Sequence, residues 1–411
     1  MNKLWRSGMI LTVVSFLIGL GNYAFQAVIG RQLAHDGEYG LANNTISFAG
    51  FLGLPLAIAA TAITHYIARY AFAGDDARLQ GLLAGCRTSL FRLTIAGSAL
   101  AVFLVNPLSS YFNFPRTSLM MVALLCVLAG LWSSFATALC QGLAWFKRLA
   151  FIGFLGVCLR LAFCGVFVPL YPVAETAVLA SVFMVLANLV LIFWKKDFAR
   201  PVQAISPWNR DFVQFFIVSA ACVGGGYFFT QGDQLVAQRY FSPADRDAYA
   251  AAERLAVALP MTVGPLLIVL FTHRSGNHTS NALREQFKLL GLYGGGLIGG
   301  AIALIILRFF CLRLLGRNTP EAAAMIIPLA ITMVCVGLLQ AFAMWALASR
   351  WLKIALLYGG LGLAYWVTLL CLGRSPADLL RVMPIASGIA LGTLLFVWAF
   401  AIHRHKPVVP N

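Results

Sequence analysis

Apolar stretches of about twenty residues or more follow one another along nearly the whole 411-residue chain, parted only by short polar links. About twenty helical residues, each rising 1.5 Å, match the roughly 30 Å hydrocarbon layer of a bilayer. Blocks this long do not alternate as barrel strands do, and a backbone in lipid must satisfy its own hydrogen bonds. Each block is therefore predicted to be a transmembrane α-helix. Composition agrees: 61% of residues are hydrophobic and 11% are charged, against about a quarter charged in an ordinary soluble domain. No stretch is polar and long enough to fold as a soluble domain, and no Pro- or Ser-rich linker occurs. Appended catalytic or nucleic-acid-binding modules are not expected.

Twelve candidate spans are read at 9–30, 41–68, 82–105, 118–142, 149–170, 174–194, 212–236, 247–272, 286–309, 321–345, 351–371 and 380–402. The first is taken as a permanent helix, because no small-residue cleavage site follows a short apolar core. Basic residues in the loops and at the span ends divide 17 to nine between the two faces. That asymmetry predicts cytoplasmic termini, with the Arg308–Arg317 cluster as a local exception on the less basic face. The net charge of +16 is thereby assigned to membrane orientation rather than to nucleic acid. The nine cysteines lie mostly inside apolar runs, at spacings of neither a zinc site nor a disulfide framework.

A shift of 210 residues aligns two segments of the chain. Tyr39-Gly-Leu-Ala-Asn-Asn falls on Tyr249-Ala-Ala-Ala-Glu-Arg, and Pro55 falls on Pro265. With two residues of adjustment upstream, Gln26 meets Gln234 and Arg31 meets Arg239. One copy joins spans one and two, the other spans seven and eight, so both halves enter the membrane from the same side. Parallel repeats related by an axis along the membrane normal follow. The expected fold is all-α integral membrane, with twelve transmembrane helices in two pseudo-symmetric six-helix lobes, 1–200 and 201–411, around a central cavity. Pro55 and Pro265 each remove a backbone hydrogen bond in mid-span and are candidate bends for gating.

Charged and polar residues inside the spans are the candidate cargo contacts. A charge at the centre of a span costs about 2.5–3.5 kcal/mol unless it faces a partner or a water-filled path. Arg160 lies eleven residues into the fifth span and keeps its charge at any accessible pH. Asp233, within Gln231-Gly-Asp-Gln234, is placed to pair with Arg254 or Arg239, or to bind a proton or Na⁺. Glu253 and Arg254 occupy the repeat positions of Asn43 and Asn44, so one half offers amides where the other offers a charge pair. Gln26 and Gln231 are expected to line the same cavity, whereas Arg87, Arg92 and His65 are weaker candidates near helix ends or helix contacts. The net positive lean of these residues favours cargo with an anionic feature, such as phosphate. No nucleophile–base arrangement, phosphate-binding loop or metal cluster stands in the sequence, so an enzyme is not expected.

Gly30-Arg-Gln-Leu-Ala followed by Glu38-Tyr-Gly40 resembles the G-R-x-L-G…Y-G signature of bacterial polysaccharide and oligosaccharide flippases. These belong to the multidrug/oligosaccharidyl-lipid/polysaccharide exporter superfamily. Asp233-Gln-Leu-Val236, Arg239-Tyr-Phe-Ser242 and Tyr249-Ala-Ala-Ala252 are similar to the family's junction of spans seven and eight. The resemblance implies alternating-access translocation of undecaprenyl-diphosphate-linked oligosaccharide from the cytoplasmic to the periplasmic leaflet of the bacterial inner membrane. The product would be O-antigen, capsule or exopolysaccharide. It also implies a monomeric transporter, with a polysaccharide polymerase and a chain-length regulator as partners. Gln26, Arg31, Asn44, Asp233 and Arg254 would line its cavity. Ala34 and Ala250 stand where glycine is expected, and the extra C-terminal span pair of lipid II flippases is absent. The alternative within the superfamily is an exporter of small amphiphilic molecules coupled to Na⁺ or H⁺, which would favour an acidic lobe cavity, and the first half offers no buried carboxylate for one. A non-transporting scaffold for polysaccharide enzymes would leave Arg160 unexplained.

Overall fold

The computed structural model describes residues 2–33, 35, 37–188, 210–276, 282–348 and 351–404. Every regular element among them is helical. In chain order they are α1 Asn2–Gln32, α2 Glu38–Leu52, α3 Leu54–Ala73, α4 Asp76–Tyr111, α5 Thr117–Gly142, α6 Phe146–Leu170 and α7 Ala174–Ala187. Then follow α8 Arg210–Tyr240, α9 Pro243–Gly276, α10 Ala282–Leu315, α11 Pro320–Ala348, α12 Leu352–Leu372 and α13 Pro376–Arg404.

Among the described residues, eight helices are long and apolar enough to cross a membrane, or nine if α2 and α3 count as one broken span. The all-α integral-membrane expectation therefore stands, and eight or nine of the twelve predicted crossings meet that standard. The other three, 9–30, 174–194 and 247–272, begin in α1, α7 and α9. Residues 189–194 of the sixth span lie outside the described residues.

The α2–α3 break has a local cause. Gly53 ends α2, Pro55 lies in the first turn of α3, where its missing N–H costs no helical bond, and the two axes meet at 51°. The bend expected at Pro55 thus appears as an interruption with a fresh helix start. Its repeat partner Pro265 lies within one uninterrupted helix, α9, and its side-chain surroundings lie outside the described residues.

The chain forms two compact units that are not contiguous in sequence. The first comprises 1–216, 237–251 and 313–318; the second comprises 217–236, 252–312 and 319–411. In the first, α6 packs between α1 and α7, while α5 touches α2, α3, α4 and α7. Tyr66, Ile67, Leu82, Cys86, Phe135 and Leu139 form an apolar cluster there. His65 stacks on Phe215 at its edge, ring centroids 4.4 Å apart, a helix-contact role. Arg87 and Arg92 are exposed on α4.

In the second unit, α11 and α12 pack on α13, and α8 meets α12 through glycines. A Cβ at Gly362 would come within 2.7 Å of the Gly225 backbone, and one at Gly359 within 3.0 Å of that of Ala221. The small-xxx-small run Gly294–Gly300 is expected to be a close-packing stripe, and it packs at Gly294, against Leu338 of α11, and at two further glycines. Gly296 and Gly300 face Val263 and Leu259 of α9, whereas Gly295 and Gly299 face open space.

Candidate functional site

Three polar constellations stand out, two in the first unit and one in the second. The first surrounds Arg160. Its helix, α6, carries the guanidinium between α1 and α7, where Nη1 donates to Asn22 Oδ1 (3.1 Å) and Nη2 donates to the Ser181 hydroxyl (2.9 Å). The guanidinium carbon lies 3.4 Å from the centre of the Phe25 ring. Arg160 is 8% exposed, so this cation is a packing element of the α1–α6–α7 bundle. Arg160→Ala would leave Asn22 and Ser181 without these bonds and remove the stacked plane. The expected result is a loss on the order of 2 kcal/mol, read as a lower Tm of the detergent-solubilised protein. An unchanged Tm would refute the packing role.

The second constellation gathers four chain segments: residues 26–44, the α4–α5 link, the α8–α9 junction and the end of α10. Tyr39 donates its hydroxyl to Gln26 Oε1 (3.0 Å), and Gln26 Nε2 donates to Asn43 Oδ1 (2.9 Å). Asn43 Nδ2 in turn donates to the Tyr39 carbonyl (3.0 Å). Asn44 Nδ2 donates to Gln238 Oε1 (3.0 Å), which also accepts from Arg246 Nη1 (3.3 Å). Arg239 lies 4.4 Å from the Tyr111 ring centre, and its carbonyl accepts from Asn113 Nδ2 (3.1 Å).

At the centre is Asp247, which is 6% exposed. It accepts N–H bonds from Gly37 (3.1 Å) and Gly40 (2.6 Å) and pairs with Arg317 Nη1 (3.0 Å). Arg317 also donates through Nη2 to the Leu33 carbonyl. Its partners account for one member of the basic cluster that breaks the charge asymmetry.

Two glycines make this approach possible. Gly37 has φ 87°, in the left-handed region, and a Cβ at Gly40 would lie 2.7 Å from the Arg246 carbonyl group. Beside them, Arg116 bridges two carboxylates. Its Nη2 donates to both oxygens of Glu38 (2.9 and 2.8 Å), and its Nε pairs with Glu175 (2.9 Å). Glu38 also accepts the Ala174 N–H (2.6 Å), tying together the N-terminal ends of α2, α5 and α7. Arg31 is exposed, and its side chain lies against Gly316.

The third constellation lies in the second unit. Asp233 and Gln234 near the end of α8 and Glu253 on α9 are all at most 1% exposed. Arg254 Nε lies 3.3 Å from Glu253 Oε2, so these neighbours form the charge pair that replaces the two asparagines of the first half. Asp233 and Arg254 are the charged groups whose fields reach Glu253, and Tyr365 of α12 feels Asp233. The Tyr365 hydroxyl is buried without a hydrogen-bond partner. Trp366 fixes the register of α8 beside this cluster: its Nε1 donates to the Gly232 carbonyl (3.2 Å), and its ring stacks on Phe228. Gln231 is half-buried one turn from Gln234.

Of the ten predicted cargo contacts, Gln26, Asn43, Asn44 and Arg239 gather in one constellation, with Arg31 at its edge. Asp233, Glu253 and Arg254 gather in another, with Gln231 nearby. Arg160 stands alone. Asp247, Arg317, Gln238 and Tyr365 were not foreseen. Of these, only Asp247 has a sequence signal, since it lies 210 residues after Gly37. Among the described residues, no group of three or more His, Cys, Asp or Glu is placed to hold a metal ion.

No family model matches this chain, and no curated protein sequence does. In fold it is similar to an inward-facing multidrug resistance MATE family transporter of the MOP superfamily. The two share 13% identity and a TM-score of 0.66, over 96% of this chain and 100% of that one. It is also similar to the lipid II flippase MurJ in an inward closed conformation (12% identity, TM-score 0.72, 95% of this chain and 87% of that one). A third likeness is to a MOP superfamily transporter from Pyrococcus furiosus whose binding pocket has reverse polarity. There the identity is 12% and the TM-score 0.57, over 96% of each chain. At these identities the likeness is one of fold alone. That fold is shared by drug exporters and a lipid flippase alike.

Proposed function

We propose that the protein is a cation-coupled carrier that exports amphiphilic molecules by alternating access, with small amphiphiles as its leading cargo class. The observation that carries this reading is the Asp233–Glu253–Arg254 cluster, in which two buried carboxylates lie within reach of each other's field and Glu253 pairs with Arg254. Two carboxylates whose fields reach each other in a low-dielectric interior disfavour ionisation of both at once, and binding H⁺ or Na⁺ there relieves the repulsion. The orphaned Tyr365 hydroxyl beside Asp233 supplies a further oxygen for such a cation. Loading the cation on one face and releasing it on the other supplies the work of export.

In this reading the chain crosses the bacterial inner membrane twelve times, in two repeated lobes, 1–200 and 201–411, with cytoplasmic termini. Gln26, Asn43, Asn44 and Gln231 offer amides to cargo, Arg31 and Arg239 flank the mouth, and Pro55 and Pro265 mark the helices that bend in gating. Arg160 holds the bundle in which Gln26 sits.

A second reading, translocation of undecaprenyl-diphosphate-linked oligosaccharide, is favoured by one specific observation. The Gly30–Gly40 segment that resembles the flippase signature is the segment whose backbone Asp247 grips. One strain separates the two readings. Deleting the gene from its native cell is expected to raise susceptibility to amphiphilic toxic compounds several-fold while undecaprenyl-linked oligosaccharides stay normal in amount and sidedness. Accumulation of the completed lipid-linked oligosaccharide on the cytoplasmic side, with unchanged drug susceptibility, would replace the first reading by the second.

A further inference from the structure

Helix α2 begins without a cap of its own. Gly37, at its N-cap position, has no side chain, and the N–H groups of Gly37 and Gly40 turn instead to Asp247. The N-cap oxygen that a helix ordinarily takes from its own Ser, Thr, Asn or Asp is here supplied from 210 residues away. The negative charge also sits favourably at the positive end of the helix. That separation equals the offset of the internal repeat, so Asp247 is the repeat equivalent of Gly37. Two equivalent positions related by a two-fold can touch only close to its axis.

We propose that Asp247 is a helix cap supplied in trans that latches the two repeated halves together on their axis. It closes the end of the carrier predicted to face the periplasm, and the carrier opens there by releasing it. This rests on the reading of the chain as a carrier built from two repeats, and it is independent of the cargo.

The bonds on either side of the latch differ in kind. Glu38, the first residue of α2, is held by Arg116 and by the Ala174 N–H, partners that belong to its own half. The start of α2 therefore stays with α5 and α7. Asp247 contributes two backbone bonds and the Arg317 pair, all of which water can replace once the segments part. A cap of this kind shifts an equilibrium by about fivefold. That is enough to bias the closed state and small enough for a carrier to reverse.

The test uses the full-length protein in lipid nanodiscs, with exposed Cys158 and Cys371 replaced by Ser. Spin labels at His35→Cys and Asp245→Cys report the distance across the latch. Asp247→Ala is expected to enlarge the long-distance population about fivefold, and Arg317→Ala less, because the two backbone bonds survive. Glu38→Ala should leave the distribution unchanged. A parental distribution in Asp247→Ala, or an equal shift in Glu38→Ala, overturns the latch. If Asp247→Ala fails to fold, the isosteric Asp247→Asn makes the same comparison, with an intermediate shift expected and an unchanged distribution again overturning it. The readout needs neither cargo nor driving cation. A failed latch therefore leaves the deletion phenotype standing, and a failed cargo reading leaves the latch standing.

Discussion

Glu253→Gln and Asp233→Asn, made together, should abolish gradient-driven transport while the protein still folds and binds cargo. Each replacement keeps the shape of its side chain and removes a buried negative charge, so packing around Trp366 and Gly232 is retained. What is lost is the group that takes up and gives back a cation. In proteoliposomes with an imposed Na⁺ or H⁺ gradient, the double variant should show at least a tenfold fall in initial uptake of a fluorescent amphiphile. Exchange of the same cargo at zero gradient should persist. Equal loss of exchange and of driven uptake would show instead that the carboxylates hold the fold or the cargo. Arg254→Gln is the informative companion. Removing the cation that pairs with Glu253 leaves a buried carboxylate without that ion pair, so the Tm of the detergent-solubilised variant should fall below that of the parent.

The second large effect concerns the contact between α8 and α12. Gly362→Val places a branched side chain where even a single Cβ would approach the Gly225 backbone to 2.7 Å. The obstacle is main chain, which has no rotamer with which to give way. The helices must part, and with them the Phe228–Trp366 stack and the Trp366 bond that sets α8 beside the acidic cluster. Small residues are what allow membrane helices to come this close. We expect little or no monodisperse protein on size-exclusion chromatography after detergent extraction. Gly360→Val two residues earlier, where a Cβ meets nothing within 4 Å, should express normally. Equal yields of the two variants would show that the seam tolerates separation.

The helical membrane architecture was legible in the sequence because it depends on block length and apolarity, which are local properties. So was the joining of Glu253 with Arg254, which are chain neighbours, and the involvement of Gln26, Asn43 and Asn44, which the repeat singled out. Asp247 was not, because its role depends on three partners far away in the chain: Gly37, Gly40 and Arg317. Read as a loop acid near a span boundary, it looks like an ordinary solvated charge. Arg160 was legible as a mid-span cation, but its partners were not. A cation in mid-span suggests bound cargo, and only the placement of Asn22, Phe25 and Ser181 on two other helices reveals its packing partners. The break at Gly53 was partly legible from Pro55. That the twin proline, Pro265, stands in an unbroken helix was not, since both follow a glycine within two residues and carry the same local signal.

The interruption at Gly53 has a mechanical meaning. The start of α2 is fastened by Glu38 to two neighbouring helices, and α3 is anchored through Tyr66 and Ile67 to α4 and α5, so the joint sets the angle between two separately held arms. Over its 20 residues, α3 is about 30 Å long, and a swing of 10° about Gly53 would carry its far end about 5 Å. Such a displacement can reshape one face of the membrane while the opposite face stays still. A single crossing so divided is two arms on one joint, and a shift in one arm need not be passed to the other.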